Sequence, residues 1–192
     1  MLAPILLFTT LNGLCYARFT SFDDAATLIS TSIITTIAED GSSVVLSEIK
    51  SKILKEQGRA TYTNFHFNYN AGRSEVEIIE AKTIFNGSEY HVPKENIEIK
   101  PLASAPKGFN QQMQVLIAFP NVEVGAEIYI KDVEKFKSIF DGYFSTGMLL
   151  NSPLQSFSSK FISKIPLHIK VNDPENILDI ATGKSNFESF HN

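Results

Sequence analysis

Apolar side chains recur at every second position over many short stretches of this chain, the pattern of strands buried on one face. Ile29, Thr31, Ile33, Thr35 and Ile37 share one side. Asp40-Gly41 follows, and both residues tolerate positive φ, which predicts a hairpin turn. On the return, Val45, Ile49 and Ile53 line one side, with Glu48, Lys50 and Lys52 on the other. The alternation lapses over residues 55–63, KEQGRATYT, where a short helix or loop is expected. Phe65, Phe67 and Tyr69 resume it, and Asn70-Ala71-Gly72 turns the chain. Val76 and Ile78 then lie on one face, but Ile79, Ala81, Thr83 and Phe85 lie on the other. That change of phase predicts a β-bulge at Ile78-Ile79. Asn86-Gly87 is a second hairpin turn, leading into residues 89–92.

The second half is less regular. Residues 93–108 hold Pro93, Pro101 and Pro106 and read as a long connection. Met113, Val115, Ile117 and Phe119 form the next strand. Ile128 and Ile130 begin another, with a shift of phase expected before Val133 and Phe136. Phe157 and Phe161 share a parity with Ile165, Leu167, Ile169 and Val171. Pro153 and Pro166 confine their strands to edges or ends. The polar tail from Thr182 is expected to fray. The whole predicts an all-β chain, an antiparallel β-sandwich of about eight to ten strands with short helical turns. One domain over residues 18–192 is the economical division.

The first 17 residues, MLAPILLFTTLNGLCYA, stand apart. Their apolar run carries no charged side chain and falls short of the about 20 residues that a bilayer span needs. Cys15 and Ala17 supply small side chains for cleavage after Ala17. Residues 1–17 therefore read as a secretory signal peptide. The mature chain would be periplasmic or secreted, with no stable membrane span. Two other readings compete. Acylation at Cys15 is opposed by Leu14, which is not small; a buried first strand is interrupted by Asn12-Gly13. Cys15 is the single cysteine of the 192 residues. Its loss with a signal peptide would exclude a thiol nucleophile from the remainder.

Composition narrows the function classes. At 43 % hydrophobic and 20 % charged residues the chain can bury a core. A net charge of -4 argues against a nucleic-acid partner, which would need a basic face. No two of His66, His91, His168 and His191 are three or four residues apart, so no local metal pair exists and neither metal nor cofactor is expected. Glu75, Glu77 and Glu80 lack the Asp, Asn and Gly spacing of a calcium loop. Neither a Gly-x-Ser-x-Gly elbow nor a Gly-rich phosphate loop occurs. Fifteen Phe and six Tyr leave one aromatic row, Phe65, Phe67 and Tyr69, which is either a core stripe or a stacking platform. Candidate binding residues are thus Phe67, Tyr69, His66 and His91. Without a catalytic constellation, a non-enzymatic protein is expected.

The order of motifs resembles a known family. Asp40-Gly41 precedes Ser47-Glu48-Ile49-Lys50; Phe67-Asn68-Tyr69-Asn70 follows a Gly58 segment. Ala81, Thr83, Gly87 and Val92 then match an A-x-T, turn, valine-strand pattern. Phe119, Pro120, Val122, Gly125 and Ile128 match F-P-x-V-x-x-G-x-x-I, with the following aromatic one place early at Tyr129. These residues resemble the uncharacterised domain found N-terminal to transglutaminase-like domains in exported bacterial proteins. The resemblance implies a β-sandwich, export and a non-catalytic role beside a papain-like cysteine domain. The 192 residues depart from that family in containing no such second domain.

The reading that combines these observations is an exported, non-catalytic binding or accessory module for a protein, peptide or cell-envelope polymer. Three rivals remain. The first is a carbohydrate- or envelope-polymer-binding β-sandwich that uses its aromatic row. The second is a small outer-membrane β-barrel, which size and alternation allow but Pro166 and the short strands oppose. The third is a metal-dependent hydrolase with ligands from His66, His91 and glutamates.

Overall fold

The structure is a computed structural model and describes residues 25–102, 111–147, 154–171 and 187–189. The signal-peptide reading of residues 1–17, Cys15 and His191 lie outside these residues. The strands are β1 (Ala26–Ile37), β2 (Ser43–Ile53), β3 (Asn64–Asn70), β4 (Ser74–Phe85), β5 (Ser88–His91), β6 (Ile97–Pro101), β7 (Gln112–Ala118), β8 (Glu127–Phe136), β9 (Leu154–Ser163), β10 (Ile169–Val171) and β11 (Phe187–Ser189). One helix, α1 (Glu56–Thr63), and a 3-10 turn (Lys94–Asn96) complete the described elements. The fold is all-β: a six-stranded sheet in the order β5-β4-β8-β2-β1-β9 faces a three-stranded sheet, β3-β7-β6. Pairing is antiparallel except between β1 and β9 and between β10 and β11. Among the described residues neither sheet closes on itself, which overturns the outer-membrane barrel.

Turn chemistry sets the connections. Gly41 takes φ +81° between β1 and β2, and the Asp40 carboxylate accepts from the Ser42 amide at 2.9 Å. Asn86 and Gly87, at φ +51° and +76°, form the two-residue turn whose twist matches the flanking strands β4 and β5. In β4 the register shifts between Ile78 and Glu80. This bulge leaves Ile79 49 % exposed and turns both Ile78 and Ala81 towards the core.

The core forms between the sheets. Ile53, Ala81, Ile128 and Ile130 from the large sheet meet Val115 and Ile117 from the small one. Phe119 and Val122, in the connection to β8, close the gap.

Four expectations need correction. The proline-rich stretch is not only a connection, because Ile97 and Ile99 alternate with Glu98 and Lys100 in β6, which ends at Pro101. Phe157 to Val171 is not one strand: β9 stops at Ser163, and Pro166 lies in the break before β10. The frayed tail contains β11, paired in parallel with β10. In β8 there is no shift of phase, since its pairing to β2 runs unbroken from Glu127 to Phe136. Asp132 and Glu134 therefore take the inward positions that follow Ile128 and Ile130, and Val133 faces out.

Candidate functional site

The outer face of the large sheet carries an ion-pair network across β5, β4, β8 and β2. Cross-strand pairing sets Lys82 beside both His91 and Tyr129, and Lys131 beside both Glu80 and Glu48. Strand geometry brings directly opposed side chains within reach of one another. Lys82 Nζ lies 3.0 Å from both Glu80 Oε1 and Glu89 Oε2, and 5.2 Å from the centre of the Tyr129 ring. The two carboxylates raise the Lys82 pKa. Lys131 Nζ is 2.8 Å from Glu48 Oε1, and this contact, with a weaker one from Tyr129, holds the Glu48 carboxyl below its ordinary range. Burial and the Glu48 charge raise the Tyr129 hydroxyl. Lys50 and Glu127 extend the row at 3.3 Å.

His91 belongs to this network. Its Nδ1 lies 3.7 Å from Glu80 Oε1 and its Nε2 3.7 Å from Glu89 Oε2, with the ring mostly exposed. His66 does not join it, because β3 belongs to the other sheet, where His66 is exposed. Phe65, Phe67 and Tyr69 pack, partly buried, against the core cluster. Phe65 sits between Tyr62, stacked at 5.4 Å, and Phe67 at 6.3 Å. The row is thus a core stripe rather than a free stacking face. Among the described residues, no group of three or more His, Cys, Asp or Glu is arranged to hold a metal ion. The network sets paired, partly exposed charges and hydrogen-bonding groups on the outer face of the sheet.

A second titratable group was hidden in the sequence. Asp132 sits on the inner face, with Ile78 and Ser47 as its cross-strand neighbours. Burial, then the nearby charge of Glu134, pushes its pKa up to about 6. The signal that could have found it was the unbroken alternation Ile128, Ile130, Asp132, Glu134. Following apolar residues alone shifted the phase to Val133 instead.

The model of a family described as a domain of unknown function, DUF3857, matches residues 39–185. Among curated proteins none matches. Among solved structures, the chain is similar to a "putative protease" from Parabacteroides distasonis, at 21 % identity and a TM-score of 0.52. The match covers 59 % of this chain and spans 23 % of the length of that protein. Weaker likenesses are to family 3a carbohydrate-binding modules of the cipA scaffoldin of Clostridium thermocellum. The CBM3a-L domain aligns at 11 % identity and a TM-score of 0.36, covering 65 % of this chain and 79 % of that one. A second structure of the module aligns at 11 % and 0.34, covering 64 % and 88 %.

Proposed function

Because the chain belongs to the DUF3857 family, a domain of unknown function, we propose that it is an exported, non-catalytic binding or accessory module for a protein, peptide or cell-envelope polymer. The observation that carries this reading is that 59 % of this chain matches 23 % of a longer chain, described as a "putative protease", with the remaining length of that chain outside the match. A domain so placed is suited to positioning a partner rather than to performing the chemistry. The transglutaminase-like neighbour implied by the motif resemblance belongs to the same proposal. The outer face fits the role. Its charges pair across four strands, so they present a fixed polar pattern.

The test uses the purified chain. It is expected to release no product from peptide, ester or glycan substrates, and to bind saturably to isolated cell-envelope polymer or to a protein partner. Turnover that persists through successive purification steps would overturn the proposal. Phe67→Ala is expected to lower stability rather than affinity, because the ring packs against the core.

A further inference from the structure

The strand edges of this molecule are guarded unequally. Edges expose unpaired peptide groups, and natural sheets blunt them with short strands, charges and proline. Here β5 has four residues, and β6 has five, with Glu98, Lys100 and a closing Pro101. At the opposite end of the large sheet, β9 has ten. It pairs with β1 from Leu154 to Ser163, and no described strand lies on its other side. Alternate peptide groups along such a strand point away from its single neighbour. The run Ser156-Phe157-Ser158-Ser159-Lys160-Phe161-Ile162-Ser163 contains one charge and no proline.

Two side-chain features accompany the edge. Near its C-terminal end lies a cavity of about 220 Å³ lined by Thr36, Ile37, Val44, Ile162 and Lys164. Val44 and Ile162 are 42 % and 46 % exposed there. Lys160 and Lys164 are exposed as well, and among the described residues no carboxylate pairs with either.

We propose that the outer edge of β9 is a strand-addition site for an extended segment of a partner polypeptide. That segment would carry an apolar side chain for the cavity and an acidic one for Lys160 and Lys164. Backbone pairing supplies the affinity and the alternate side chains the selectivity. This rests on the binding-module reading and names its partner class.

The test is amide hydrogen exchange on the full chain, read by NMR, with and without a synthetic peptide, Thr-Glu-Thr-Val-Thr-Glu-Thr, whose Glu and Val side chains share one strand face, as Lys160, Ile162 and Lys164 do. In the free protein, every second amide of residues 154–163 is expected to exchange rapidly. The peptide is expected to protect those amides and few others. Methylating alternate peptide nitrogens is expected to weaken binding by about tenfold, since it removes the pairing donors. Lys160→Glu with Lys164→Glu is expected to weaken the Glu peptide and to favour a Lys analogue. Three results would overturn the proposal. They are protection of all β9 amides at every concentration, protection that rises with a doubling of mass, and a peptide that leaves exposed β9 amides unprotected. A natural partner that protects amides elsewhere would overturn the edge site and leave the module reading standing.

Discussion

One strand, β8, presents two chemistries on the same face of the same sheet. At its N-terminal end Ile128 and Ile130 are 1 % and 5 % exposed beneath the small sheet. Further along, Asp132 and Glu134 occupy the equivalent inward positions, only partly buried. The pairing to β2 is continuous, while the β4 bulge lies opposite the boundary between the halves, with Ile78 beside Asp132 and Glu80 beside Lys131. Coverage separates the halves as well. The small sheet has three strands against six, and β7 delivers Val115 and Ile117 to the Ile128 end. At the hairpin end, residues 137–143 reach across instead. The Gly142 amide donates to the Asp40 carbonyl, and the Lys137 amide to the Arg73 carbonyl. Asp132 sits beside Ser47 and Ile78, one inward position beyond Ile130. Burial deprives its carboxyl of water, and among the described residues no cation pairs with it.

The difference can be broken or sharpened by substitution. The largest effect is expected at the covered end. Ile128→Ala leaves a void in a closed core and is expected to cost about 3–4 kcal/mol, read by denaturant unfolding. A loss below about 1 kcal/mol would mean that the small sheet does not seal this end. Next comes Gly41→Ala. Gly41 has φ +81°, and a Cβ there would run into the Tyr143 carbonyl. The expected cost is roughly 2–3 kcal/mol, from backbone strain and displacement of the 137–143 segment. Calorimetry should show the lowered melting temperature.

Two smaller changes are expected to stabilise. The Thr83 hydroxyl is fully buried and has no hydrogen-bond partner among the described residues. Thr83→Val removes that polar group at nearly constant volume and is expected to add about 1 kcal/mol. Asp132 has a folded pKa of about 6 against an ordinary 3.8. The fold therefore favours its protonated form. The stability this contributes is fully present below the unfolded pKa and is lost as pH rises through about 6. Asp132→Asn is expected to add roughly 1 kcal/mol at pH above that value, after allowance for solvent screening of a partly exposed group. It should also flatten the pH dependence of unfolding. A variant whose stability stays parallel to the parent across that range would remove Asp132 from the comparison.

Much of the fold was legible because hydrophobic phase and turn chemistry agree locally. Asp40-Gly41 and Asn86-Gly87 marked two hairpins, and the phase change at Ile78-Ile79 marked the bulge. The reading failed where non-local coverage decides the side chain. Asp132 looked outward because it is charged, although its register turns it in. β6 was hidden between prolines, since Ile97 and Ile99 find their meaning only beside Ile117 and Val115 of β7. The candidate residues divided in the same way. Phe67 and Tyr69 follow their alternation into the core. His91 meets Glu80 only because β4 bulges and then pairs with β5, a juxtaposition that no spacing in the sequence records.

The contrast within β8 is tested most directly by following the Asp132 carboxyl carbon by NMR as pH is varied in the full chain. A midpoint near 6 is the predicted result. A midpoint at the ordinary 3.8 would mean that Asp132 is solvated as a surface residue, and that the two halves of this face do not differ as described.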